Sequence, residues 1–66
     1  MKFEFGDKVK FKNEEKVHPD LRDKEFCLLG FGNSAFALIE WDKRGQYFFE
    51  YFNGNINESL IKVEPL

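Results

Sequence analysis

Apolar and polar residues alternate along much of this chain, and the period is two. In Lys8-Val9-Lys10-Phe11-Lys12, Val9 and Phe11 point one way and three lysines the other, which is the pattern of a half-buried β-strand. Gly6-Asp7 precedes it as a turn, with glycine supplying backbone freedom and aspartate a local acceptor. Three further strands are expected at Glu25–Phe31, Ala35–Asp42 and Gln46–Phe52, and a fifth at Ile61–Glu64, ended by Pro65. Gly30 to Ser34 forms the turn between the second and third. Asp42-Lys43-Arg44-Gly45 forms a hairpin loop between the third and fourth. Asn57 is placed to cap one short helical turn running to Leu60. Asn13 to Lys24 is polar, contains Pro19, and has only Val17 and Leu21 as apolar anchors. It reads as a long loop with one helical turn begun at Asp20. Nowhere do apolar residues recur with helical spacing over three turns.

Five short strands, a long first loop, tight hairpins and a helical turn before the last strand predict an all-β fold, a small five-stranded barrel in one domain spanning 1–66. Closing the sheet removes exposed edges. The rival is an open antiparallel sheet that dimerises. This plan resembles the SH3-like barrel superfamily, which includes KOW-type and Tudor-type modules. The resembling pieces are Gly6-Asp7-Lys8-Val9 near the start and Leu60-Ile61-Lys62-Val63-Glu64 near the end. The resemblance implies a binding module rather than an enzyme. The acidic-aromatic motif and paired tryptophan of peptide-binding SH3 domains are absent, so a proline-rich ligand is not implied.

The third and fourth strands are apolar on both faces. Ala37, Ile39 and Trp41 alternate with Phe36 and Leu38, and Tyr47, Phe49 and Tyr51 alternate with Phe48 and Phe52. A half-buried strand alternates apolar with polar, so one small core is not expected to hold both sets. Either the 13–24 loop folds over the surplus, or the face self-associates, or it takes a ligand. Phe36, Leu38, Phe48 and Phe52 are the expected protein-binding residues, for a partner protein or a second copy in a homodimer.

Composition sharpens this reading. With 66 residues, nine Phe, two Tyr and one Trp, a chain that buries only about 60% of its unfolded surface depends on aromatic burial for stability. A single cysteine, Cys27, rules out an internal disulfide. The N-terminal residues lack the apolar run of a signal peptide, and no apolar stretch approaches the ~20 residues needed to cross a bilayer. A cytoplasmic protein with no membrane association is expected.

Net charge is −2, against the basic balance of most nucleic-acid binders. The charge is uneven: residues 1–24 hold seven basic and six acidic side chains, residues 25–66 three and six. Lys8, Lys10 and Lys12 recur about every 6.6 Å along one strand face, two rises of ~3.3 Å. This supports an alternative, a KOW-like module binding single-stranded nucleic acid by charge and stacking. The same lysines serve equally to guard a strand edge against aggregation.

Catalytic groupings are thin. His18 is the only histidine and lies in His18-Pro19-Asp20. Cys27 lies mid-strand among apolar neighbours, where a thiol behaves as a small hydrophobe. Together they cannot supply the three or four ligands of a metal site. Glu40, Asp42 and Glu50 read as a solvated acidic face. No cofactor, metal or small-molecule substrate is implied, and the expectation is a non-enzymatic interaction module.

Overall fold

A computed structural model of the chain describes residues 3–63. Val9 and Phe11 turn inward as their alternation requires, and the strand that carries them, β1 (Lys8–Phe11), sits in the interior of the sheet. Following it are β2 (Phe26–Phe31), β3 (Ala35–Glu40), β4 (Glu50–Asn53), a one-turn helix α1 (Ile56–Ser59) and β5 (Leu60–Lys62). All pairings are antiparallel, and the strand order is β4-β3-β2-β1-β5. β1 therefore pairs on one side with β2, Val9 opposite Phe26, and on the other with β5, Phe11 opposite Leu60.

The expected closed barrel is not formed: no ladder joins β4 to β5. The sheet is nonetheless strongly curled. Three strand spacings of ~4.8 Å would hold β1 and β4 roughly 14 Å apart in a flat sheet, yet the rings of Phe11 and Phe52 lie 5.3 Å apart. The molecule measures 27 × 26 × 25 Å, as a sheet rolled around its own core should. Side chains rather than a backbone ladder fill the opening. Val17 and Leu21 from the 13–24 loop pack against a core made of Phe3, Val9, Phe11, Phe26, Leu28, Phe36, Leu38, Ile56 and Leu60. Phe11 is central to it, edge-on to Phe26 at 5.5 Å and to Phe52, while Phe36 and Phe52 stack at 5.4 Å and 18°.

The strand boundaries shift where side chains draw the backbone away from the sheet. β3 ends at Glu40, and Trp41–Lys43 forms a 3-10 turn. The Glu40 carboxylate accepts from Lys43 at 2.7 Å and Lys24 at 2.9 Å. Arg44 donates to the Trp41 carbonyl at 2.7 Å and lays its guanidinium 3.7 Å from the indole centroid. These contacts hold the turn that ends β3, and β4 begins at Glu50 rather than Gln46. The 13–24 loop contains two 3-10 turns, Glu14–Lys16 and Pro19–Leu21. The second is capped by His18 Nδ1, which accepts from the Asp20 amide at 3.1 Å. Asn55, not Asn57, caps α1 by accepting from the Asn57 amide at 2.8 Å. Gly54 precedes it with φ +139°, a conformation that L-residues with a Cβ avoid. Of the expected fifth strand, Glu64 and the terminating Pro65 lie outside the described residues.

Candidate functional site

Alternation along β3 decides which aromatics are free. Phe36 and Leu38 face inward and are 3% and 1% exposed. Phe52, paired with Phe36 across the β3–β4 ladder, leans on the same core. The expected contact surface of Phe36, Leu38, Phe48 and Phe52 is therefore corrected. Its first two members are core, Phe52 is half-buried against that core, and only Phe48 stands in solvent. On the opposite face of β3, Ala37 and Ile39 are buried as well, so the open aromatics are those of the 47–51 segment from both faces, with Phe31.

The open rings gather at the β4 end of the sheet. Tyr47 is 96% exposed, Phe48 69%, Phe49 48% and Tyr51 77%, with Phe31 of β2 at 49%. Phe49 and Tyr51 meet edge to face at 5.4 Å. Together with Phe31 they wall a groove of about 420 Å³ on the outer face of the sheet. Gly30, Gly32, Ala35 and Ala37 line the same groove, and no atom lies within 4 Å of where a Cβ would stand on either glycine. A bulge between Leu28 and Gly30 shifts the β2–β3 register here, which re-aims the side chains beyond it. Phe49 also lines a second groove of about 400 Å³ with Tyr47, Phe48 and Leu21, so the exposed rings form one continuous surface. Within Tyr47–Asn53, Glu50 is the only charged residue.

Hydrogen-bond phase settles what the β4 backbone offers. Gly54 donates to the Ser34 carbonyl at 2.7 Å, and the register pairs Ala35 with Asn53 and Phe36 with Phe52. Bonded pairs alternate along an antiparallel ladder. Residues 50, 52 and 54 therefore turn their amides and carbonyls toward β3, while Tyr51 and Asn53 turn theirs outward. β4 is the end strand of the sheet, so this outward row meets no strand among the described residues.

The lysine row is built as the alternation predicts, but not at an edge, because β1 lies between β2 and β5. Lys8 pairs with Glu25 at 3.2 Å and sits 5.1 Å from the Trp41 centroid. Lys12 donates to the Asn57 carbonyl at 2.9 Å. Lys10 borders a depression it shares with Asp23, Glu25, Glu40 and Asp42. Two of the three ammonium groups are thus engaged within the chain, and the third lies among carboxylates. The indole of Trp41 has both Lys8 and Arg44 within cation–π reach.

Cys27 is buried on the outer face opposite Ile39. Burial pushes its thiol above the ordinary range, with Arg44 pulling slightly down and Asp7 slightly up. His18 is solvent-exposed and lies 3.5 Å from the Asp20 carboxylate. Of the acidic trio, Glu40 is bound between two lysines, and these hold its carboxyl below the usual range. No helix among the described residues is long and apolar enough to cross a membrane. No protein-family model, curated protein or solved structure matches this chain.

Proposed function

We propose that this chain is a non-enzymatic protein-interaction module of the SH3-like kind, with the aromatic edge of β4 as its contact surface. The single observation that carries the reading is the run Tyr47-Phe48-Phe49, joined by Tyr51 and Phe31, standing exposed at the end of the sheet. Scaling ~200 Å² per aromatic side chain by those exposures puts roughly 680 Å² of ring-bearing surface in water. The largest apolar patch of a monomeric protein is ordinarily about 300–600 Å², and patches of that size are often functional. The return of β5 to pair beside β1, with a helical turn just before it, supports the SH3-like part of the reading.

A photo-crosslinking residue at Tyr47 tests this, with the same residue at exposed Glu15 as the control. Added to a soluble extract from source cells, the Tyr47 probe should give protein adducts of defined mass that the Glu15 probe does not. Equal labelling from both positions overturns the assignment.

A further inference from the structure

We propose that the occupant of this edge is a second copy of the chain, whose β4 pairs antiparallel to the first with Tyr51 on the twofold axis. The inference rests on the reading of the β4 edge as a contact surface and adds its partner and register.

Three features of the chain lead to it. The first is the contrast between the two ends of the sheet. At one end β5 carries Lys62, bound to Asp7 at 3.3 Å. An edge lysine is one way natural sheets blunt an edge. β4 at the other end has no lysine and is flanked by aromatic rings. The second is area. The roughly 680 Å² of exposed ring-bearing surface approaches the ~800 Å² that each side contributes to a stable interface.

The third is register. Outward-facing residues must meet outward-facing residues, so Phe49 (just before the strand), Tyr51 and Asn53 choose among few alignments. Centring on Glu50 sets two carboxylates directly opposite each other, which is destabilising. Centring on Phe52 matches only Tyr51 with Asn53. Centring on Tyr51 pairs Tyr51 with itself and Phe49 with Asn53 twice, giving roughly six backbone hydrogen bonds. It also sets each Glu50 across from the second copy's Phe52. A twofold arrangement uses the same patch on both copies, so one free edge satisfies another without a further partner.

Cysteine placement reads the register directly. In a Cys27→Ala background, Tyr51→Cys puts two thiols on a pair whose Cα atoms are about 5.5 Å apart, inside the ~4.4–6.8 Å that a disulfide spans. Tyr47→Cys separates its two copies by eight residues, about 27 Å at ~3.4 Å per residue. In a glutathione redox buffer, Tyr51→Cys is expected to give covalent dimer at least tenfold faster than Tyr47→Cys. Wild-type chain should sediment as a dimer at the same concentration. Asn53→Pro provides a second variant. It removes an outward amide without touching the β3 ladder and should lower the dimer fraction.

Equal crosslinking at 47 and 51, or dimerisation of Asn53→Pro like wild type, overturns the register. A wild-type monomer up to millimolar concentration overturns the second copy as occupant. If that monomer still gives Tyr47-specific photo-adducts with other proteins, the contact-surface reading stands without the dimer. If it gives none, both fail.

Discussion

Phe36 and Phe48 carry the same side chain twelve residues apart, and their truncation to alanine separates core from contact surface. Phe36 is 3% exposed and stacks on Phe52 at 5.4 Å. Phe→Ala at such a site costs about 3–5 kcal/mol. The whole stability expected for 66 residues is only about 3–10 kcal/mol, at ~0.05–0.15 per residue. Unfolding entropy of ~2.1 cal/mol/K per residue makes each kcal/mol worth about 7 °C here, so Phe36→Ala should lower the Tm by roughly 20–35 °C. Phe48 is 69% exposed, so only about 60 Å² of a ~200 Å² side chain is withdrawn from water. At ~25 cal/mol/Å² that is at most about 1.5 kcal/mol, an upper bound because the unfolded chain is not fully extended. Phe48→Ala should therefore lower the Tm by no more than about 10 °C. Thermal melts followed by far-UV circular dichroism, and by the fluorescence of the sole tryptophan, Trp41, give both values on one scale. Equal losses, or a larger loss at Phe48, would refute the assignment of faces along β3 and β4.

Gly54→Ala forces a Cβ into φ +139° and to 3.3 Å from Ser59 Oγ. It should cost about 1–3 kcal/mol in a urea titration, the range for a residue held in such backbone strain. The Glu40 carboxyl is held low by hydrogen bonds from Lys43 and then Lys24. Its folded value lies below its unfolded one, so its contribution is complete above pH 4.5 and is lost as pH falls through the lowered value. Glu40→Gln should flatten that acid limb in Tm measured against pH. Burial of Cys27 predicts slow reaction with a disulfide reagent in the native state, and Phe36→Ala should accelerate it by opening the sheet. Replacing Lys8, Lys10 and Lys12 together by Gln should leave oligonucleotide binding unchanged in fluorescence anisotropy at low salt. A salt-sensitive loss would instead place phosphates on that face.

The five strands, the long loop and the helical turn were legible because each rests on local signals. Val9 and Phe11 alternate with lysine, Asn53-Gly54 ends the fourth strand ahead of the helical turn (whose cap is Asn55 rather than the expected Asn57), and the 13–24 segment is polar with Pro19. The inward face of β3 was not legible. Ala37-Leu38-Ile39 is apolar in both phases, so the period-two signal cancels and leaves nothing to separate Phe36 from Ala37. The choice is made by register: Leu28 opposite Leu38 and Phe26 opposite Glu40 place Phe36 and Leu38 with Phe11 of β1. The shortening of β4 was equally hidden, because Gln46–Phe52 has strong strand propensity. Glu50 is the first residue of β4 because pairing with β3 begins only there, at Leu38 opposite Glu50, and pairing partners are not visible in local propensity.

The same cancellation bears on why the sheet stops where it does. A curled sheet of this size closes either by joining its end strands or by plugging the gap between them. Here Val17 and Leu21 of the loop pack against the core alongside Phe52, a plug of side chains that leaves the outward row of β4 unpaired among the described residues. Plugging hides apolar side chains but cannot satisfy backbone amides, so the aromatic edge keeps its hydrogen-bonding capacity in addition to its apolar surface. Loss of the plug should then act on the core before it acts on the edge. Leu21→Ala removes a half-buried side chain packed against the core, and should destabilise by about 1–2 kcal/mol, below the ~2–5 typical of a fully buried leucine. Tyr51 faces the opposite side of β4, so dimer affinity measured by sedimentation on the folded variant should stay within about threefold of wild type. A larger drop in affinity at full folding would mean that the 13–24 loop itself forms part of the contact surface.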